Sequence, residues 1–108
     1  MPILQINFKL NIPVEAYSTA SQKVAQMIAD VPGLRWKIWL LNEAESEAGG
    51  IYCFESAATL EGYLSSPIVA QLRALPIITS LNIKRFDAIE DLTRITRGPA
   101  LAAFEAHS

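Results

Sequence analysis

Histidine and cysteine are nearly missing from this chain, which has one of each in 108 residues. The single histidine, His107, stands one residue from the end. The acidic Glu43, Glu45 and Glu47 have no histidine near them, so neither a protein-held metal nor a haem is expected, and no cofactor is assigned. Cys53 cannot form an internal disulfide and lies inside an apolar run. That fits a buried thiol in a reducing compartment, the cytoplasm by default. A cluster of Lys or Arg is also missing. Nine Lys and Arg face eleven Asp and Glu, for a net charge of −2, and the pI is near 5.3. The basic footprint of a nucleic-acid binder is absent, RNA included. No stretch approaches the roughly eighteen consecutive apolar residues of a membrane helix, so no membrane partner is expected. Nor does a basic segment precede an apolar one at the N-terminus, which reads as a first strand and not as a signal peptide.

Charge of either sign is scarce, at 19% against 51% apolar residues. That is lean for a small domain that must cover itself with polar surface, so part of the apolar surface is expected to meet a partner subunit. A chain of this length makes one domain that buries roughly 65% of the surface its unfolded form exposes.

From Ile3 to Leu10 the alternation is strict, with Leu4, Ile6, Phe8 and Leu10 on one face and Gln5, Asn7 and Lys9 on the other. This is a half-buried strand. Pro13 opens a helix running to about Ala29, with an apolar stripe of Tyr17, Ala20, Val24, Met27 or Ile28, and Val31. Pro32-Gly33 then supplies a type II turn. The segment from Pro32 to Phe54, which holds both tryptophans, reads as a β-hairpin with a loop of about six residues over Asn42 to Glu47. In its first strand Leu34, Trp36, Ile38 and Leu40 form an apolar face, and Arg35, Lys37, Trp39 and Leu41 a mixed one. Gly49-Gly50 in the second strand signals a bulge or close approach by another backbone or a ligand.

Ser56 caps a short helix carrying Leu60, Tyr63 and Leu64, and Ser66-Pro67 opens another with Ile68, Leu72 and Leu75 inward. A strand follows from Ile77 to about Ile89. Glu90-Asp91 begins a last short helix, with Arg94, Arg97 and Gly98 at its C-terminal end. Residues 1–98 therefore form one domain, and residues 99–108 an alanine-rich tail that packs on a partner or frays. The order is β-α-β-β-α-β, the α+β ferredoxin-like plan, with a four-stranded antiparallel sheet and the helices on one face. The other face, with Trp39 and Leu41 placed on it, is expected to be closed by a second copy, giving a homodimer whose sheets form an α+β barrel.

Pro32-Gly33-Leu34-Arg35-Trp36-Lys37-Ile38-Trp39, followed by Glu47-Ala48-Gly49-Gly50-Ile51-Tyr52-Cys53-Phe54, closely resembles the paired signature of the YdhR-type mono-oxygenases of the dimeric α+β-barrel superfamily. The resemblance covers nearly the whole chain; an Arg at position 35 and a tail past Gly98 depart from it. It implies a ferredoxin-like homodimer that oxidises small electron-rich aromatic or quinol-type compounds with molecular oxygen.

Ground-state oxygen is a triplet, so a protein without flavin, haem or metal needs a substrate that is itself a good electron donor, such as a deprotonated quinol. The protein must then bind a ring, favour its anion and exclude bulk water. Trp36, Trp39, Tyr52 and Phe54 supply candidate walls, Lys37 or Arg35 a cation for the phenolate, and Asn7 a group to orient a hydroxyl or peroxide. Tyr52, Asn7 and Lys37 are the catalytic candidates, and Trp36, Trp39, Phe54 and Arg35 the substrate-binding ones. Each has a plainer reading beside it: Trp36 as core, Trp39 as dimer interface, Lys37 and Arg35 as solvated or ion-paired. Adjacent strand residues face opposite sides, so Trp36 and Lys37 do not line one cavity unless a bulge intervenes. Two other functions stay open: a non-catalytic dimeric module for small apolar ligands, and a cofactor-free isomerase or lyase.

Overall fold

Strand β1 (Pro2–Leu10) forms because its alternate apolar residues have one face to bury. Leu4, Ile6, Phe8 and Leu10 are all buried. Helix α1 (Val14–Ala29) follows, then β2 (Leu34–Asn42), a 3₁₀ turn (Glu43–Glu45), β3 (Glu47–Phe54), α2 (Ala57–Leu64), α3 (Pro67–Ala74), β4 (Ile78–Asp87) and α4 (Glu90–Ile95). The computed structural model describes residues 1–99, so the expected behaviour of the 99–108 tail lies almost wholly outside the described residues. The strands form one antiparallel sheet in the order β2-β3-β1-β4, with α1, α2 and α3 on one face. This is the ferredoxin-like α+β fold.

Turn chemistry fixes the joins. Pro32 and Gly33 occupy the centre of a turn closed by the Leu34 amide on the Val31 carbonyl at 3.2 Å, and Gly33 takes the positive φ of 81° that its second central position requires. The hairpin loop is tighter than expected. Asn42 still pairs with Glu47, because the Asn42 side chain accepts from the Glu45 amide and Ser46 turns left-handed at φ 49°. Ser56 and Thr59 form a reciprocal capping box on α2. At the end of α4 it is Arg97, at φ 62°, and not Gly98, that takes the left-handed position. Gly98 instead donates to the Thr93 carbonyl at 2.8 Å.

The core gathers the inward face of β1 with Tyr52, Phe54, Leu60, Tyr63, Val69 and Ile28. Helix α1 contributes less than its stripe promises, since Val24 is 39% and Met27 52% exposed. They border a cavity instead of filling the core. Gly62 lies inside α2 with nothing within 4 Å of the place a Cβ would take. Gly62→Ala is therefore expected to stabilise the fold by about 0.5–1 kcal/mol through the unfolded chain's lost freedom, read as a higher urea midpoint at unchanged slope.

Candidate functional site

The two faces of β2 are the reverse of those expected. Leu34 pairs with Phe54 and Trp36 with Cys53, so Arg35 is an extra residue on the β2 side. This bulge inverts the alternation. Beyond it Lys37 pairs with Tyr52, Trp39 with Gly50 and Leu41 with Ala48, and these face the helices. Trp36, Ile38 and Leu40 fall on the helix-free face. Placing Trp39 and Leu41 on the open face is thus corrected.

Lys37, Trp39 and Tyr52 meet in a cavity of about 320 Å³ between the sheet and helices α1 and α3. Its far wall is apolar, built from Val24, Met27, Leu72, Leu75 and Ile78, while Tyr17 and Tyr63 close its inner end. The Lys37 ammonium position is 3.4 Å from the centroid of the Trp39 ring and 4.6 Å from that of Tyr52. Gly50 makes this possible, because a Cβ there would stand 2.5 Å from the Lys37 Cε and 3.3 Å from the Tyr52 ring. Among the described residues no carboxylate forms an ion pair with Lys37. Burial lowers the Lys37 pKa to about 7. The two ring faces act against burial, since they favour the ammonium form. The result is an amine poised to exchange a proton near neutrality.

Tyr63 donates its hydroxyl to the Tyr52 oxygen at 3.2 Å, which leaves the Tyr52 proton to be offered to the cavity. Burial pushes both hydroxyls above the ordinary phenol range, and for Tyr52 the neighbouring Tyr63 adds to the rise. Both stay neutral donors. Phe54 does not line the cavity; it is fully buried and stacks behind Tyr52 at 6.2 Å and 14°. Trp36 and Asn7 are on the opposite side of the sheet, where Asn7 accepts from Gln5 at 2.9 Å. Arg35 leaves the site as well and pairs with Glu55 at 3.2 Å. The structure therefore brings together Lys37, Trp39 and Tyr52 of the seven candidates and separates the other four from them. It adds Tyr63 and Gly50. A tyrosine on the inward stripe of α2 needs a hydrogen-bond partner once buried, and that was the signal for Tyr63; nothing in the sequence places Gly50 under a lysine. Among the described residues no group of three or more His, Cys, Asp or Glu is placed to hold a metal ion, and no helix is long and apolar enough to cross a membrane.

Among solved structures the fold is similar to a protein of unknown function from Nitrosomonas europaea. That match has 17% identity and a TM-score of 0.70, and covers 82% of this chain and 88% of the other. It is also similar to SnoaB, a cofactor-independent oxygenase from Streptomyces nogalater, at 16% identity and a TM-score of 0.65, over 81% of this chain and 92% of that one. At these identities the likeness is one of fold. No curated protein matches the chain. A family model matches it over residues 3–99, under the description Putative mono-oxygenase ydhR, and with nearly its whole described length so matched the chain belongs to the ydhR mono-oxygenase family.

Proposed function

We propose that this protein is a cofactor-independent mono-oxygenase acting on a small phenol or quinol, with Lys37 as the base. The observation that carries the reading is the Lys37 amine itself: inside an apolar cavity, against two ring faces, with no carboxylate partner among the described residues. A neutral amine takes the proton of a bound ring hydroxyl, and the ammonium so formed pairs with the phenolate while Trp39 and Tyr52 hold it. The electron-rich anion is the reductant for oxygen, and the Tyr52 hydroxyl donates to the oxygen atom that gains charge. SnoaB lends support as a cofactor-independent oxygenase of similar fold. The buried free thiol of Cys53 is consistent with a reducing, cytoplasmic setting.

Oxygen uptake over a panel of quinols, catechols and polycyclic phenols, with autoxidation subtracted, tests this. Tyr52→Phe is expected to lower kcat/KM by about tenfold, the worth of one hydrogen bond. Uptake indifferent to that change, or no uptake across the panel, would move the reading to a ligand-binding module.

The open sheet face supports a homodimer. Register sets Phe86, Ile3, the buried Cys53 and Trp36 in one row and Lys84, Gln5, Ile51 and Ile38 in the next, and Phe86 is 49% and Ile38 43% exposed. A face that leaves such apolar side chains exposed beside polar ones fits a second copy of itself. Ile38→Glu is expected to turn dimer into monomer by light scattering. A dimer undisturbed by it would place the interface elsewhere.

A further inference from the structure

An amine in this setting can do more than take a proton. Lys37 is one of four lysines in the chain. Lys23 and Lys84 are exposed, and Lys9 lies 3.6 Å from Glu45 and 3.9 Å from Glu47. Lys37 alone among them is drawn into a cavity and set against rings instead of carboxylates. We propose that Lys37 is a carbonyl-capturing nucleophile, whose amine condenses reversibly with small apolar aldehydes that enter the cavity and forms an imine held between Trp39 and Tyr52.

Four observations carry this. The Val24, Met27 and Leu75 wall suits an apolar aldehyde body in about 320 Å³. Gly50 leaves room beside Cε, so the Lys37 side chain lies across the strand and lines the cavity. The Tyr52 hydroxyl, accepting from Tyr63, has its own proton for the carbonyl oxygen. The ring faces at 3.4 and 4.6 Å stabilise a cationic nitrogen, whether ammonium or protonated imine. Burial also keeps part of the amine neutral near pH 7, and desolvated lysines of this kind are the ones that form Schiff bases.

The step balances without an oxidant. The nitrogen lone pair attacks the carbonyl carbon, and the C=O π pair moves to oxygen, which is protonated. The carbinolamine then expels that oxygen as water together with the two hydrogens the nitrogen loses. A C=N bond replaces C=O. Oxygen takes no part, so this capture goes beyond mono-oxygenation and stands or fails separately from it.

The test is trapping. The intact protein is treated with benzaldehyde and sodium cyanoborohydride at pH 7 under nitrogen, where hydride reduces the imine to a stable benzylamine, and each lysine is mapped by mass spectrometry. Lys37 is expected to label at least about ten times faster than Lys9, Lys23 or Lys84, since an ordinary lysine is almost wholly protonated at that pH. The Met1 α-amine, paired with Glu90 at 3.1 Å, is scored separately. Lys37→Arg should remove the fast label. Gly50→Ala, checked by circular dichroism, should slow it by pushing the Lys37 side chain aside while the chain keeps its amine. Label spread evenly over the four lysines, or a fast label that survives in Lys37→Arg, overturns the proposal.

Discussion

Lys37→Met is expected to abolish oxygen uptake while making the protein more stable. The loss follows from removing the base, an effect on the order of 10²- to 10⁴-fold in kcat/KM. The gain follows from burial. Burial lowers the Lys37 pKa from the ordinary 10.5 of the unfolded chain to about 7 in the folded one. Between those values the unfolded chain binds more protons than the folded one, so stability of the wild-type protein climbs as pH rises from about 7 towards 10. Below pH 7 the charged amine is buried in full and the penalty is complete. At pH 6 the Met variant is expected to be about 1–2 kcal/mol more stable, less than the whole shift would give because Trp39 and Tyr52 already favour the ammonium. Denaturant midpoints at pH 6 and pH 9.5 check the sign. The wild-type protein should gain between them, and the variant should lack that climb. In turnover, wild-type kcat/KM should rise through about pH 7 and then level. A variant that is destabilised at pH 6 would mean that Lys37 is a surface-like group, and the base assignment would go with it.

Gly49→Ala is expected to be the most damaging single-methyl change in the sheet. A Cβ at Gly49 would fall on the backbone carbonyl of Ile6 and reach 3.0 Å from the Asn7 Cα. Neither neighbour is a side chain that can rotate away. Strand β1 is hydrogen-bonded on both sides, to β3 and β4, so relieving the clash must move a central strand and the buried Leu4 and Ile6 with it. The cost is about 3 kcal/mol, at the upper end of overpacking penalties, and shows as a lower urea midpoint. Two glycines thirteen positions apart thus have opposite expected outcomes, since Gly62 has open space where Gly49 has backbone.

The sequence carried the parts of this fold in which one face only can be buried. Leu4, Ile6, Phe8 and Leu10 could be read at sight because Gln5, Asn7 and Lys9 contrast with them, and Ser56 and Pro67 mark their helices by chemistry local to the chain. The hairpin's existence was legible for the same reason. Its facing was not, because β2 is apolar on both sides and contrast vanishes. The extra residue at Arg35 then reversed the alternation, and no local signal distinguishes a bulged arginine from a paired one. Lys37 and Trp39 could be seen to share a face, but which structure covered that face was set by helices far away in sequence. Asn7 and Tyr52 were grouped by chemistry and parted by the pleat. The same pleat forbade Trp36 and Lys37 to share a wall, and the bulge at Arg35, preceding both, left that exclusion intact.

The bulge at Arg35 also bears on how such a protein changes over generations. Strand β2 is at the margin of the sheet, bonded to β3 alone, so sliding it by one position breaks a single ladder. Loss of the one codon for Arg35 would close the bulge into a regular ladder, with Leu34 still opposite Phe54, Trp36 opposite Cys53 and Lys37 opposite Tyr52. The pocket wall would keep its residues and its facing. The strand therefore carries one position that a lineage can shed or regain without rebuilding the site, whereas gain of a residue between Trp36 and Leu41 has no such spare place to be absorbed.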